Sequence, residues 1–283
     1  MTPHMMKRRC LASVLACLLG LAGCASVPSP ADRRSHADAL ADQHSWHAVV
    51  LSGLRFDITG YVPRRVRADA VLDVYIEGDG LAWLSSDLPS PDPTPRDPVA
   101  LRMALAQPEG NAAYLARPCQ YRTASDTNSC DRAYWTNARF AEEVVTAMNA
   151  ALSTLKTRYG AERIRLVGYS GGGAVAALLA ARRDDVSRLV TVAGNLDTER
   201  WVRLHRISPL LGSSNPADQA LQLRYVRQAH LVGARDKTVP IVVAQAYASR
   251  FPLSSVPDVR LLEGYDHTCC WAENWAVLWK TLP

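Results

Sequence analysis

The sequence predicts a single α/β domain, in which a mostly parallel sheet is covered by helices on both faces. From residue 46 onward, short β-branched runs alternate with longer helical runs, which is the pattern of buried parallel strands joined by helices. The 283 residues are 48% hydrophobic, enough to form one large core. No internal repeat or linker divides residues 46–283, so this region is predicted to be one domain.

The first half of the domain is predicted from β-branched runs and turn residues. Val71–Ile76 is rich in valine and isoleucine and is followed by glycines, which indicates a buried strand. Proline and aspartate crowd residues 85–98, which predicts a loop. The other elements predicted here are strands at 46–51, 56–62 and 112–116, helices at 99–106 and 136–159, and a cysteine-bearing loop at 118–135.

The second half continues the alternation. Trp271, Trp275 and Trp279 recur every four residues on the last predicted helix, so we expect them to pack in the core. After the strand at 189–193, the sequence is irregular up to about residue 227. The elements predicted here are strands at 164–167, 189–193, 229–232 and 259–262, and helices at 172–182, 240–250 and 270–279.

Residues 1–23 are expected to be a signal peptide. A basic run, Lys7-Arg8-Arg9, precedes an apolar stretch at 11–21 that is too short to span a membrane. This stretch ends in Leu21-Ala22-Gly23-Cys24, which resembles the lipobox of bacterial lipoproteins. The resemblance implies cleavage before Cys24, lipid attachment to Cys24 and anchoring to a membrane of the cell envelope. Alanine rather than aspartate follows Cys24, which favours the outer membrane, with the domain facing the periplasm.

Residues 24–45 are predicted to form the lipidated N-terminus and a flexible tether. They are rich in alanine, proline, serine and aspartate and have no apolar periodicity. The net charge of +5 owes three charges to the basic run of the signal segment, and no concentrated basic patch follows. Nucleic acid is therefore not expected as a partner.

Four cysteines follow the lipobox, namely Cys119, Cys130, Cys269 and Cys270. An oxidising compartment predicts disulfides among them. Pairing Cys119 with Cys130 is the local choice, but it leaves the adjacent Cys269 and Cys270 to pair with each other or to stay free. Pairing each of the first two with one of the last two would tie two loops together. The sequence leaves both schemes open, and the spacing of these cysteines does not predict a metal site.

Gly168-Tyr169-Ser170-Gly171-Gly172 matches the pattern Gly-X-Ser-X-Gly. It follows the apolar strand at 164–167 and opens the small-residue helix at 172–182. A serine at such a sharp turn takes a strained backbone conformation, so the residues two before and two after it must be very small. The setting therefore predicts a nucleophile elbow that exposes the hydroxyl of Ser170.

A serine nucleophile needs a histidine base and a carboxylate that orients the histidine. In this strand–turn–helix setting they are expected in the order serine, aspartate, histidine, beyond the ends of later strands. Asp236 and His267 both occupy such positions. Asp197 is the alternative acid, because it also follows a predicted strand. His230 lies within a strand, where a structural histidine is expected.

The negative charge that develops on an attacked carbonyl oxygen needs two backbone N–H donors. One is expected at Gly171, directly after the nucleophile. The other is expected at Asp79 or Gly80, in the loop Glu77-Gly78-Asp79-Gly80 that follows a predicted strand. Many esterases have His-Gly-Gly-Gly at this place, and Glu77 departs from that pattern.

With these motifs, residues 46–283 resemble the α/β-hydrolase superfamily, and in particular proteobacterial lipoproteins of that superfamily. The resemblance implies an α/β-hydrolase fold with an eight-stranded sheet, a small cap insertion at 195–227, and no cofactor. It implies a serine hydrolase that cleaves an acyl bond, by default a carboxylic ester, through Ser170, Asp236, His267 and an acyl-enzyme intermediate. The expected partner is then a small-molecule acyl substrate, besides the membrane.

Two other functions stay open. A peptidase, amidase or thioesterase would use the same three residues, so only substrate profiling separates it from an esterase. A non-catalytic envelope scaffold is the second alternative, although a scaffold has no need of the three residues together. The sequence defines neither the acyl length nor the oligomeric state. Apolar residues of the cap either line an acyl pocket or pack the cap onto the core, namely Trp201, Val202, Leu204, Ile207, Leu210 and Leu211.

Overall fold

An eight-stranded sheet forms the centre of the computed structural model, which describes residues 27–66, 69–123 and 130–282. The sheet has the spatial order β1-β2-β4-β3-β5-β6-β7-β8. The pairs β1–β2 and β2–β4 are antiparallel, and all other neighbours are parallel, which confirms the mostly parallel sheet. The strands are β1 (Trp46–Gly53), β2 (Phe56–Pro63), β3 (Val71–Ile76), β4 (Asn111–Leu115), β5 (Arg163–Tyr169), β6 (Val186–Val192), β7 (Arg227–Gly233) and β8 (Asp258–Leu262).

Helices connect most of the parallel strands. Short 3-10 turns at Arg132–Trp135, Pro216–Gln219 and Leu253–Ser255 supplement them. The helices are α1 (Pro30–Gln43), α2 (Val99–Leu105), α3 (Glu142–Tyr159), α4 (Gly171–Ala180), α5 (Thr198–His205), α6 (Ala220–Leu223), α7 (Ile241–Ala248) and α8 (Trp275–Thr281). Helices α5 and α6 lie between β6 and β7, within the segment predicted as a cap.

Each face of the sheet carries its own hydrophobic core, because successive residues of a strand point to opposite faces. In β3, Leu72, Val74 and Ile76 contribute to one core, whereas Tyr75 contributes to the other. The first core contains apolar residues of α3 and α4, and the second contains those of α1, α2 and α8. Both faces of the sheet are therefore covered, as parallel strands require.

The three tryptophans of the C-terminal segment are buried in the second core, as predicted. Their helix is shorter than expected, because α8 begins only at Trp275 and the residues before it form turns. The indole N–H of Trp271 donates to the carbonyl oxygens of Asp266 and His267, each at 3.1 Å. These bonds tie the turns before α8 to the preceding loop.

The predicted flexible tether is wrong for residues 30–43, which form helix α1. Ser29 and Asp32 cap this helix reciprocally: the hydroxyl of Ser29 accepts the N–H of Asp32, and the carboxylate of Asp32 accepts the N–H of Ser29, both at 3.1 Å. Ala37 and Ala41 are buried in the second core. Because its buried apolar residues are alanines, the helix shows no apolar stripe in the sequence. The signal segment and Cys24 lie outside the described residues.

Helix α3 begins at Glu142, six residues later than predicted. The backbone N–H of Phe140 donates to the hydroxyl of Ser213 at 3.0 Å instead of to a helical carbonyl. The segment before α3 is thus tied to the cap segment by a side chain. Ser213 lies 73 residues from Phe140 in the chain. The local apolar periodicity could not reveal this contact, so the predicted helix began too early.

Of the two disulfide pairings that the sequence left open, the structure contains the one that joins cysteines close together in the chain. Cys119 is bonded to Cys130, and Cys269 is bonded to the adjacent Cys270. The alternative, which ties the loop before α3 to the loop after β8, is not formed. The second pair lies two residues beyond His267.

Candidate active site

Ser170 lies at the sharp turn between β5 and α4. Its backbone has φ 51° and ψ −121°, a conformation that is strained for a residue with a side chain. A Cβ atom at Gly168 would lie 2.4 Å from the carbonyl oxygen of Gly172, and one at Gly172 would lie 2.3 Å from that of Ile76. Both positions therefore require glycine, and the predicted elbow geometry is present.

The structure brings Ser170, His267 and Asp236 into one hydrogen-bonded chain. Ser170 Oγ and His267 Nε2 are 3.0 Å apart, and His267 Nδ1 lies 2.9 Å from Asp236 Oδ2. Asp236 follows β7 and His267 follows β8, so all three residues lie beyond the carboxyl ends of parallel strands. An ionised carboxylate only accepts hydrogen bonds, so it holds the proton of the neutral imidazole on Nδ1. Nε2 is then free to accept the proton of the serine hydroxyl.

Backbone groups fix the carboxylate of Asp236. Its side chain is fully buried, and its second oxygen, Oδ1, accepts the N–H groups of Thr238 and Val239, both at 2.8 Å. Both carboxylate oxygens thus have partners, and the carboxylate plane is held towards the imidazole. The backbone thus fixes the orientation of the carboxylate that the imidazole meets.

The backbone of His267 is held from two sides. The hydroxyl of Tyr169, next to the nucleophile, donates to the carbonyl oxygen of His267 at 3.0 Å. Asp266 forms a tight turn, in which its Oδ1 accepts the N–H groups of Thr268 and Cys269 at 2.8 and 2.7 Å. These N–H donors lower the pKa of Asp266 and keep it charged. The imidazole is therefore placed by its own loop and by the strand that carries Ser170.

The three residues expected at the oxyanion site, Asp79, Gly80 and Gly171, line one cavity together with Ser170. The carboxylate of Asp79 packs directly against Gly171, since a Cβ atom at Gly171 would lie 2.1 Å from Asp79 Oδ1. A larger residue after the nucleophile is therefore excluded. Asp79 fills the space that such a side chain would take.

Two arginines that the sequence did not single out hold Asp79. Arg139 Nη1 lies 2.6 Å from one carboxylate oxygen, and Arg117 Nη1 lies 3.3 Å from the other. Both arginines are buried, and burial together with the neighbouring arginine lowers the pKa of Arg117 to about 10. They come from segments 38 and 60 residues beyond Asp79, so no local sequence pattern could have found them.

Glu77 stands where many esterases have histidine, and it is buried behind the same loop. One carboxylate oxygen accepts the N–H of Gly78 at 3.0 Å and, more weakly, that of Ala100 at 3.4 Å. The other accepts the hydroxyl of Tyr114 at 3.2 Å. Glu77 thus ties the loop after β3 to α2 and β4. Burial raises its pKa to about 7, against the opposing effect of these donors.

The cavity above Ser170 has a volume of about 990 Å³ and is open to solvent. Three of the six apolar cap residues line it, which are Trp201, Ile207 and Leu210. Val202 is buried, and Leu204 and Leu211 are exposed. The segment predicted as a cap therefore does both things that the sequence left open, because some of its apolar residues line the cavity and Val202 packs in the interior.

Comparison with known proteins identifies the fold. No protein-family model matches the chain, and no curated protein matches it. Solved structures do match. Est1E from Butyrivibrio proteoclasticus is 13% identical and covers 83% of this chain and 98% of its own, with a TM-score of 0.57. The esterase domain of a Rhodothermus marinus protein is 15% identical and covers 83% and 95%, with a TM-score of 0.54. This chain has the α/β-hydrolase fold.

A peptidase also shares this fold with the chain. Acylaminoacyl peptidase from Pyrococcus horikoshii is 11% identical over 84% of this chain and 40% of its own, with a TM-score of 0.59. At these identities the similarity concerns the α/β-hydrolase fold alone. The geometry of the site is therefore the stronger guide to chemistry.

Within this α/β-hydrolase fold, the alternative acid and the strand histidine have structural roles. Asp197 begins α5, and its Oδ1 accepts the N–H of Arg200 at 2.8 Å, so it acts as a helix cap. His230 is fully buried in β7, and its Nδ1 lies 2.8 Å from the hydroxyl of Thr191. Burial lowers the pKa of His230 to about 3, so it is neutral at pH 7. In the described parts of the chain, no group of three or more histidine, cysteine, aspartate or glutamate side chains could hold a metal ion.

Replacing Glu77 by glutamine is expected to remove a pH dependence of stability. The pKa of Glu77 rises from 4.5 to about 7 on folding. Between these pH values, the folded protein therefore binds more protons at Glu77 than the unfolded chain does. The free energy of unfolding then falls as pH rises from about 4.5 to 7, because the buried carboxyl must ionise. Urea titrations of the parent and Glu77→Gln at pH 5, 6 and 7.5 measure the effect. We expect the glutamine variant to gain stability relative to the parent as pH rises.

The comparison with the glutamine variant isolates Glu77 from other titrating groups. Buried His230 acts in the opposite direction, since its lowered pKa makes stability rise with pH between about 3 and 6.5. Both proteins contain His230, so its effect cancels in the difference. If the difference in unfolding free energy between the parent and Glu77→Gln stayed the same at all three pH values, Glu77 would have the same pKa in the folded protein as in the unfolded chain.

Proposed function

We propose that the protein is a serine hydrolase that cleaves an acyl bond, a carboxylic ester in the first instance. One observation carries the proposal: a continuous chain of hydrogen bonds runs from Asp236 through His267 to Ser170, and Ser170 faces a cavity of about 990 Å³. Proteins of similar fold that are described as esterases or as a peptidase support hydrolysis as the reaction class. They do not specify the substrate.

The proposed reaction follows from the three side chains and the loop after β3. His267 Nε2 takes the hydroxyl proton while Ser170 Oγ bonds to the acyl carbon and the carbonyl oxygen becomes an oxyanion. The N–H of Gly171 and that of Asp79 or Gly80 are the proposed donors to this oxyanion. When the tetrahedral intermediate collapses, the bond to the leaving alcohol breaks. The alcohol takes the proton from His267, and the acyl group stays on Ser170.

Release of the acyl group repeats these steps with water. Water bonds to the acyl carbon and gives a proton to His267, and the bond to Ser170 then breaks. Ser170 recovers its proton from His267, and the acid leaves. Asp236 orients the imidazole and stabilises the imidazolium that forms in each half of the reaction.

We further propose that the mature chain is attached to lipid at Cys24 and acts in the cell envelope, facing the periplasm. The lipobox-like sequence before Cys24 supports this proposal. In residues 27–66, 69–123 and 130–282, no helix is long and apolar enough to cross a membrane. Each buried CH₂ of an attached acyl chain contributes ~0.8 kcal/mol, so several acyl chains would retain the protein at a membrane surface.

Labelling with a fluorophosphonate probe tests the proposed nucleophile. We expect one probe molecule per chain, located on Ser170 by mass spectrometry of its peptide, because only an activated serine attacks the phosphonate phosphorus. Ser208→Ala is the matched control, since Ser208 lines the same cavity and its loss should leave the labelling intact. Labelling of another serine, or none, would contradict the proposal.

A substrate panel then separates the possible acyl substrates. Esters, thioesters and anilides of the same butyryl group present one acyl chain with three leaving groups. Preference for the ester by tenfold or more in kcat/KM supports an esterase. Preference for the thioester or the anilide would assign the site to a thioesterase or an amidase with the same three residues.

A further inference from the structure

The start of α1 is fixed beside the mouth of the cavity. Arg33, in the first turns of α1, is buried, and its guanidinium bonds to the side chain of Asp92 at 3.3 Å and to the carbonyl oxygen of Thr94. The next two residues, Pro95 and Arg96, line the cavity. The chain therefore enters the domain next to the opening above Ser170.

The proposed lipid attachment lies only a few residues before this point. Cys24 precedes Ser29, the capping residue of α1, by five residues. A fully extended chain spans at most ~3.3–3.6 Å per residue, so this segment reaches no more than ~18 Å. Lipid attached to Cys24 would hold the start of α1, and with it the cavity mouth, close to the membrane surface.

The rim of the cavity exposes apolar side chains on this side. Trp83, Leu84 and Leu88 are 39%, 45% and 53% exposed, and the N–H of Leu84 donates to the carbonyl oxygen of Leu88 at 2.9 Å, so these leucines belong to one turn. Ile207 of the cap is 43% exposed and lines the cavity together with Trp83. Apolar groups gathered around an opening, rather than scattered singly, indicate a surface that is covered in use.

The same rim carries two unpaired cations. Arg96 and Arg206 are exposed and line the cavity, and neither forms an ion pair among the described residues. Of the acidic residues nearby, Asp79 is paired with buried arginines and Asp97 is paired with Arg102 at 2.8 Å. Asp87, in the turn between Leu84 and Leu88, is exposed and, within the described part of the chain, accepts only the hydroxyl of Ser85, at 2.9 Å. The opening is therefore apolar, and its edge carries the two exposed arginines, Arg96 and Arg206, against the carboxylate of Asp87. This combination matches a bilayer that contains anionic lipids.

We propose that the cavity mouth docks on the surface of an anionic lipid bilayer and that the enzyme takes a lipid ester from that bilayer as its substrate. This inference rests on the proposed serine hydrolase function and on the proposed attachment at Cys24. The apolar part of the cavity wall would then receive the acyl chain, and the carbonyl would reach Ser170 without crossing bulk water. The residues that form this wall are Leu81, Ala82, Trp83, Trp201, Ile207 and Leu210.

The test compares the lipidated full chain with a rim variant and a matched control. Leu84→Ser/Leu88→Ser removes exposed leucines of the rim that lie outside the cavity lining. Leu253→Ser removes a leucine that is 98% exposed and precedes β8, whereas His267 follows the other end of this strand. Each protein is assayed on p-nitrophenyl butyrate in solution and on diacylglycerol in vesicles of phosphatidylglycerol and phosphatidylcholine.

We expect the rim variant to hydrolyse the soluble ester within twofold of the parent but the vesicle ester at least tenfold more slowly. Leu253→Ser should match the parent on both substrates. Arg96→Gln and Arg206→Gln should each lower the vesicle rate about fivefold, because each charge near an anionic surface contributes ~1 kcal/mol. That loss should disappear in vesicles of phosphatidylcholine alone and at high salt.

Hydrogen–deuterium exchange of Ser170→Ala separates docking from catalysis, because this variant cannot turn over the lipid. Protection of residues 83–88 on anionic vesicles, without protection of residues 252–256, supports docking even if no ester proves to be a substrate. Equal vesicle rates for the two leucine variants, with no protection at 83–88, would overturn the proposal. Protection that depends on protein concentration and needs no vesicles would also overturn it, in favour of a second copy of this chain. Failure of the parent on every soluble ester, thioester and anilide, together with no fluorophosphonate labelling of Ser170, would instead contradict the proposed hydrolase function.

Discussion

Replacing Ser170 by alanine is expected to lower kcat/KM for ester hydrolysis at least ~10³-fold, which corresponds to ~4 kcal/mol of lost transition-state stabilisation. The hydroxyl is the only group of the proposed site that forms a covalent bond to the acyl carbon, and His267 Nε2 lies 3.0 Å from it. Without Oγ, the imidazole has no nucleophile to deprotonate. The variant can only assist attack by water, through the oxyanion donors that remain.

The fold should not change in this variant. Alanine keeps the Cβ atom and so takes the same strained conformation, φ 51°, that serine already occupies. Thermal unfolding of both proteins checks this, and we expect midpoints within about 2 °C, as a difference below ~0.5 kcal/mol would give. Ser208→Ala, in the same cavity, should keep its activity. A Ser170→Ala variant that is folded and retains more than a tenth of the parent rate would assign the nucleophile elsewhere.

The elbow and the three proposed catalytic residues could be predicted because their constraints are local. The turn at Ser170 needs small residues at Gly168 and Gly172, and the sequence shows both within five positions. His267 and Asp236 each follow a strand, and the order of strands along the chain fixes their side of the sheet. A pattern a few residues long was therefore sufficient to place side chains that are up to 97 residues apart in the chain.

The arginines around Asp79 could not be predicted in this way. Arg117 and Arg139 reach Asp79 only after β4 and the loop before α3 have packed together. Their side chains look like ordinary surface arginines in the sequence, because burial of the charge depends on a partner from another segment. The disulfide pairing could not be predicted from the sequence either, because it depends on which segments meet in the folded chain.

Helix α1 was missed because of its composition rather than its distance from its partners. Its buried face includes Ala37 and Ala41, and alanine carries little hydrophobic contrast. The reciprocal cap formed by Ser29 and Asp32 is the local feature from which the start of this helix could have been found. Arg33 then fixes the helix to the loop at the cavity mouth, which gives α1 a position relative to the site that a tether would not have.

Replacing Asp236 by asparagine is expected to lower kcat about 10³–10⁴-fold, while the fold is kept. Asparagine has the same shape, and its amide oxygen can still accept the N–H groups of Thr238 and Val239 that bond to Asp236 Oδ1 at 2.8 Å. The amide nitrogen would then face His267 Nδ1 as a donor, in place of the carboxylate oxygen that lies 2.9 Å away. The imidazole must therefore carry its proton on Nε2, where it cannot accept the proton of Ser170.

Asp197→Asn is the matched control for this change. Asp197 follows β6, the other strand end that could supply the acid, but its carboxylate caps α5 by accepting the N–H of Arg200. Asparagine caps helices about as well as aspartate, so we expect activity and stability close to those of the parent. Steady-state rates on p-nitrophenyl butyrate for both variants decide between the two acids. Equal losses in the two variants would contradict the assignment of Asp236 as the orienting acid. A loss confined to Asp236→Asn would place this acid at the end of β7, where, among the described residues, the carboxylate of Asp236 bonds to the imidazole of His267.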